Sequence, residues 1–326
     1  MTPLIVAEMS ANHLGSLDRA MAIVDAAAEA GANAIKLQTW APDTMCLDRS
    51  YTLQSGPWAG RKLFDLYREA HTPWEWHRPI FERARSKGLI PFSAAFDRES
   101  VDFLEALGVD RHKVASFELT DLPLIRYAAR TGKPLIMSTG MASVAEITAA
   151  YAAANSRHIT LLKCTSAYPA TVEDANLATI PDMQQWLGCD AGLSDHTPGH
   201  AVAAAAAALG AALIEKHLTL SRADGGPDAG FSMEPDEFAA MVKACRTAAA
   251  ARGTPHYGCT PSESTALRRS LYIARDMKAG EILTVDAVRT ARPACGLPPA
   301  KYQTVLGQTI KQDTMAGTPL TMEMLA

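Results

Sequence analysis

The sequence predicts an α/β fold, a (β/α)8 barrel followed by a small β-rich module, on three observations. A short apolar run, a polar cluster and an amphipathic helix recur eight times within the first 252 of 326 residues. The apolar runs are nearly continuous, which is the pattern of parallel strands covered on both faces, and eight such strands are the number that closes a barrel. The rhythm then stops after Arg252. A doubly wound open sheet is the alternative, but no GxGxxG follows the first strand.

In chain order the strand candidates are 4–10, 34–40, 89–96, 112–118, 134–140, 159–166, 191–196 and 213–220. Between the first two, Leu17, Met21, Val24 and Ala28 repeat at helical spacing, with Ser16 placed to cap the helix and Gly31 to end it. Helices of the same kind are predicted over 74–87, 98–107, 121–131, 143–154, 174–187, 198–209 and 235–251. The stretch 41–73 after the second strand is too long for an ordinary connection, since loops beyond about 12 to 15 residues are commonly lids or binding loops. It holds Trp58, Arg61, Lys62 and Tyr67 and is a candidate for substrate recognition, the alternative being an excursion that packs on the rim. A linker rich in Gly, Pro, Thr and Ser spans 253–267, and 268–326 forms the small module, in which DMKAGEIL and DTMAGTPL mark glycine turns. About 60 residues make a marginal domain unless it packs against something else.

The formal charge of −4 excludes the large basic field that a nucleic-acid coat or membrane-surface protein needs. Any anionic ligand must therefore be held by local cations. Six scattered cysteines without a CxxC pair argue for reduced thiols and a cytoplasmic protein. The opening MTPLIVAEMS lacks the basic start of a signal peptide, and the run 201–214 falls short of the ~20 residues of a membrane span.

A β/α barrel presents its reacting groups at the C-terminal ends of its strands. Those ends carry Glu8, Asn12 and His13; Lys36 and Gln38; Ser93; Lys113, Ser116 and Glu118; Ser138 and Thr139; Lys163, Thr165 and Ser166; Ser194, Asp195 and His196; and Glu215, Lys216 and His217. A single lysine there is often solvated and a single serine often caps a helix. So many on one rim favour a site, in which ammoniums and small hydroxyls suit a phosphate or carboxylate. His196 and His217 end adjacent strands, so their imidazoles can converge on a divalent metal such as Mn, Co, Zn or Mg, with positions left for water and substrate. A hydrogen-bonded histidine pair, one of them a general base, is the other possibility.

The segments AEMSANHLGS, GANAIKLQTW, KVASFELTDLPLI, MSTGM, LLKCTSAYP, GLSDHT, IEKHLTL, GGPDAGFSMEPDEF and ARPACGL, in this order, resemble the sialic acid synthase family over nearly the whole chain. TPWEW, SFELTDLPLI and GGPDAGFSMEPDEF are most similar to its pseudaminic acid branch. The resemblance implies a barrel over 1–252, an antifreeze-like (SAF) domain over 268–326, and a domain-swapped homodimer in which that domain covers the partner's site. It implies condensation of phosphoenolpyruvate with an open-chain acetamido sugar, for this branch 2,4-diacetamido-2,4,6-trideoxy-L-altrose, to a nine-carbon 2-keto acid and phosphate. N-acetylneuraminic or legionaminic acid synthesis is the neighbouring possibility, and non-catalytic carbohydrate binding one from another class.

By the same resemblance His196 and His217 hold the metal (Mn, Co or Mg), while Lys36, Ser93, Lys113, Ser116, Ser138, Ser166 and Ser194 hold phosphoenolpyruvate. Gln38, Tyr168, Asp228 and Arg292 face the sugar, and Glu8 or Glu118 moves a proton. The chain departs from the family pattern at Ser166, where many members have asparagine, and at Ala294-Cys295-Gly296, where Gly-Asn-Gly is usual.

Overall fold

A computed structural model describes residues 2–326. Two compact units divide the chain, the first ending at Gly253 and the second spanning Thr254–Ala326. In the first, eight strands close a parallel barrel in chain order: β1 (Leu4–Glu8), β2 (Ala34–Thr39), β3 (Ile90–Ala95), β4 (His112–Val114), β5 (Leu135–Ser138), β6 (Ile159–Cys164), β7 (Asp190–Asp195) and β8 (Leu213–His217). Helices α1 (Leu17–Glu29), α2 (Pro42–Met45), α3 (Leu63–Ala70), α4 (Trp74–Ser86), α5 (Arg98–Ala106), α6 (Leu122–Ala129), α7 (Val144–Ala154), α8 (Thr179–Leu187), α9 (Ala201–Ala208) and α10 (Pro235–Arg252) follow the strands.

Local chemistry starts these helices where the sequence signals them. Ser16 Oγ accepts from Arg19 N at 3.2 Å, and reciprocal capping boxes form at Asp97 with Ser100 and at Ser143 with Glu146. Two polar stretches leave their strands early. β4 ends at Val114, so Ser116–Glu118 form a 3-10 turn, and β6 ends at Cys164, so Thr165 and Ser166 stand beyond it. The segment 41–73 is not a bare loop. It contains α2, α3 and a Thr52–Lys62 bridge, and the spacing of Leu63, Leu66, Tyr67 and Ala70 already carried the helical signal for α3.

Successive strand residues point to opposite faces, and this parity builds the interior in tiers. Val6, Ala34, Phe92, Ile136, Leu162 and Leu213 fill the lower barrel. Residues of the other parity, such as Ile5, Ile35, Leu161 and Ile214, pack outward against the helices. Gly192 is required where β7 meets β8, because a Cβ there would lie 2.1 Å from Leu213 O. Two residues above the apolar tier the inward positions turn polar.

The second unit pairs β9 (Ser270–Ile273) with β10 (Val288–Ala291) antiparallel, adds a short helix α11 (Tyr302–Val305), and has its own core around Leu271, Ile273, Val288 and Ile310. Its remaining pairings are single bridges between tight turns, such as Met277–Thr314 and Ile282–Thr309. Among the described residues no helix is long and apolar enough to cross a membrane.

Candidate active site

A buried charge cluster occupies the polar tier. Lys113 Nζ donates to Glu215 Oε2 at 3.0 Å and to Ser138 Oγ at 2.7 Å. Lys36 Nζ lies 3.4 Å from Glu215 Oε1 and 2.6 Å from Glu8 Oε2. Gln38 Nε2 donates to Glu8 Oε1 at 3.0 Å, and Ser194 Oγ donates to Glu215 Oε1 at 3.4 Å. All four charged side chains are nearly sealed from solvent.

Their ionisation follows from that geometry. Burial alone would raise the Glu215 carboxyl, but the Lys113 and Lys36 ammoniums overcome it and hold it at about 2. Burial, with Glu215 adding repulsion against the pull of Lys36, pushes Glu8 up to about 7. Burial lowers Lys113, with Lys36 adding to the effect and Glu215 opposing it; in Lys36 burial loses to Glu215 and Glu8, and the ammonium is reinforced. Near neutrality two ammoniums therefore face one full and one partial carboxylate, a surplus of positive charge suited to an anion.

A hydroxyl cradle adjoins the cluster. Gly140 N donates to Ser116 Oγ at 3.2 Å, and a Cβ on Gly140 would sit 2.3 Å from Ser166 Oγ and 2.8 Å from Ser116 Oγ. Only hydrogen fits there, which leaves Ser116 and Ser166 around one small space, while Ser138 is held by Lys113.

Ser93 does not join this group. Parity turns it outward, where its hydroxyl shares a 2.6 Å hydrogen bond with Thr39 Oγ1, itself 2.7 Å from His77 Nε2 on α4; the assignment of Ser93 to phosphoenolpyruvate is corrected accordingly. Lys163 also points away and donates to Cys164 O at 3.2 Å. Asp195 and Lys216 form a 2.6 Å ion pair on the outer face of the barrel.

His196, just beyond β7, and His217, at the end of β8, have ring centroids 5.3 Å apart. The carbonyl of Thr165 lies 3.0 Å from His196 Nδ1 and can only accept, so Nδ1 carries a proton; burial works to lower this imidazole but Cys164, the Thr165 carbonyl and Glu215 outweigh it and raise it, so a cation would displace the proton at Nε2. His217 Nδ1 is buried and has no partner among the described residues, and burial, with His196 and Lys36 nearby, holds its imidazole well below the ordinary histidine range. Neutral imidazoles are what a divalent cation binds. Among the described residues no three or more His, Cys, Asp or Glu side chains gather into a metal-holding group. The pair thus fits a cation with two protein ligands whose other positions go to water and substrate oxygens.

Above this floor opens a cleft of about 430 Å³. It is lined by the polar Gln38, Glu118, His217 and Asp228 and by Trp40, Leu53, Trp58, Tyr67 and Phe96, the latter group largely from the segment after β2. Trp58 Nε1 donates to Pro227 O at 2.8 Å and its ring lies 5.4 Å from that of Tyr168, which in turn lies 4.5 Å from His196. Burial raises the Tyr168 phenol and the Asp228 carboxyl, the latter opposed by a 2.5 Å bond from Ser10 Oγ. Glu118 Oε2 is buried without a partner among the described residues, and burial pushes this carboxyl up to about 7. A second hollow of about 630 Å³, at the N-terminal ends of β5, β6 and β7, lies at the opposite end of the barrel from this chemistry. Arg292 belongs to the second unit, directly after β10.

Glu215, Cys164, Ser10 and Phe231 also line or support the site, although their residue types and spacing in the sequence single out no specific role for them. Glu215 was detectable by parity, as the residue two beyond the interior Leu213 on the way to His217. Cys164 likewise points inward, its sulfur 3.9 Å from His196 Nδ1.

Fold and site together define a β/α-barrel enzyme with a buried lysine–carboxylate cluster beside a pair of imidazoles. The chain belongs to the NeuB family, which it matches over residues 23–257, and its residues 268–326 match the SAF domain. It is 41% identical to a pseudaminic acid synthase of Campylobacter jejuni over 97% of this chain and 94% of that one. With an N,N'-diacetyllegionaminic acid synthase of Legionella pneumophila it shares 33% identity over 99% and 94%. An N-acetylneuraminic acid synthetase structure from Leptospira borgpetersenii superposes with TM-score 0.74 at 30% identity, covering 80% of this chain and 89% of that one.

Proposed function

We propose that this enzyme condenses phosphoenolpyruvate with the open-chain aldehyde of 2,4-diacetamido-2,4,6-trideoxy-L-altrose, giving a nine-carbon 2-keto acid and phosphate. The observation that carries the reading is the buried Lys36–Glu215–Lys113 cluster, set beside the serine cradle and the imidazole pair. Lys36 and Lys113 attract the phosphate and carboxylate, and Ser116, Ser138, Ser166 and Ser194 orient their oxygens, so that C3 of the enol faces the aldehyde carbon. A divalent metal such as Mn, Co or Mg, held by His196 and His217, would polarise that aldehyde as a Lewis acid.

As the C3–C1 bond forms, the aldehyde oxygen takes a proton; water then adds to C2 and phosphate departs. Glu118 is better placed than Glu8 to supply the proton, because Glu8 is engaged by Lys36 and Gln38 while Glu118 keeps a free oxygen in the cleft. Gln38, Tyr168 and Asp228 face the sugar. The aromatic and apolar lining suits a substrate that carries a methyl and acetamido groups in place of hydroxyls, and the higher identity to the pseudaminic branch favours the same sugar.

Phosphate release with each candidate sugar tests this. The diacetamido-trideoxy sugar should turn over, and equal turnover of N-acetylmannosamine would overturn the assignment. In the same assay kcat/KM should fall as pH rises above about 7, where Glu118 loses its proton, and Glu118→Gln should remove that limb along with most of the rate, roughly 10²-fold or more.

The enzyme works as a homodimer in the cytoplasm, where its six cysteines stay as free thiols. Exposed Leu47, Tyr51, Phe117, Met141, Val144 and Val172 lie on the segments that follow β2, β4, β5 and β6, an apolar exposure that supports cover by the SAF domain of a second copy, bringing Arg292 to the sugar. Mixing Lys113→Ala and Arg292→Ala proteins should then restore activity that neither has alone, since one intact barrel would receive one intact arginine. No recovery after exchange of subunits would leave Arg292 acting within its own chain.

A further inference from the structure

We propose that Phe231 is the positioning residue of the imidazole pair, holding the His217 ring where other proteins use a hydrogen bond. A ligating histidine ordinarily donates its second ring nitrogen to an oxygen that fixes the ring's direction. His196 does so through Thr165, but His217 Nδ1 is buried and makes no hydrogen bond among the described residues. What the His217 ring has is Phe231, 5.0 Å away between centroids and inclined at 73°. The same phenyl ring stands edge-on to His196 at 6.2 Å and 87°, so one side chain braces both imidazoles. From its other sides it is pressed by Tyr168 at 5.1 Å and Trp58 at 6.3 Å. A phenyl ring offers neither donor nor lone pair, so it can fix direction without competing for a cation.

The backbone sets this ring in register with the strand it supports. Met233 N donates to His217 O at 2.9 Å, Thr219 N donates to Met233 O at 2.9 Å, and Leu218 pairs with Met233 in parallel. Ser232 Oγ donates to Asp228 O at 2.6 Å, and the Asp228 carboxylate accepts from Ser10 Oγ at 2.5 Å. The short turn carrying Phe231 is therefore tied at both ends, once to the strand that carries His217 and once to the loop after β1.

This inference rests on the reading that His196 and His217 hold a divalent cation. It is tested by calorimetric titration with Mn²⁺ alone, without substrates, of the parent, Phe231→Leu, Phe231→Met, Phe231→Tyr and His217→Ala, with circular dichroism to select folded variants. Leu and Met at this position should weaken Mn²⁺ binding about 10–100-fold, while Tyr, which keeps the ring, should remain within a few-fold of the parent. If folded Leu and Met variants bind Mn²⁺ as the parent does and only the KM for sugar rises, Phe231 is a wall of the sugar cleft and the inference fails by itself. If the parent takes up no Mn²⁺, the cation reading fails and the inference with it.

Discussion

Replacing Glu215 by glutamine should destabilise the barrel by about 3 kcal/mol at neutral pH, the lower end of the range for breaking a buried ion pair, and should nearly abolish turnover. The substitution keeps the shape and removes the one carboxylate that meets both Lys36 and Lys113. Glu8 limits the damage: freed from Glu215 and facing two ammoniums, it ionises more readily and takes over part of the compensation. Because anions bind the native state and supply the missing charge, phosphate or phosphoenolpyruvate should stabilise the variant more than the parent.

The pH dependence has a definite sign. Glu215 sits at about 2 in the fold against an ordinary 4.5, so its stabilisation is complete above about 4.5 and disappears as pH falls toward 2. Glu8 and Glu118 act oppositely: each is raised to about 7, so their protonated forms favour the fold below about 4.5 and that contribution is lost as pH rises through 7. The gap between parent and Glu215→Gln in urea midpoints should therefore narrow steadily below about pH 4. A variant within about 0.5 kcal/mol of the parent at pH 7, the ordinary effect of a surface change, would show that the cluster does not hold these charges together.

His217→Ala should lower kcat/KM by roughly 10³-fold or more, the several kcal/mol expected from losing a Lewis acid at the developing alkoxide. Phosphoenolpyruvate should still bind, since Lys36, Lys113 and the serine cradle are untouched, and calorimetry can follow that separately from phosphate release. Chelation of the parent should produce the same loss, reversible by Mn²⁺, and should add nothing to the variant. Full activity of His217→Ala after chelation would refute the metal assignment.

The eight β-then-α units were legible in the sequence, and so were the capping of α1 by Ser16, the break after Arg252 and the polar strand ends. The inward or outward sense of those ends was not. In a parallel sheet covered on both sides the apolar residues run continuously, so the hydrophobic pattern gives the strand's extent without its phase. That is why Ser93, Lys163, Asp195 and Lys216 stood in the sequence as equals of Lys36, Lys113, Ser194 and Glu215, although the structure turns the first four out of the barrel. Closure with a fixed register chose between the two sets, since Glu8 opposite Lys36 and His217, and Ser194 opposite Glu215, leave each side chain one face to occupy. A barrel with a polar rim of lysines, serines and two histidines is written in the order of the residues alone. Which of them share a low-dielectric interior follows from closure of the sheet, and that sets their charges and their chemistry.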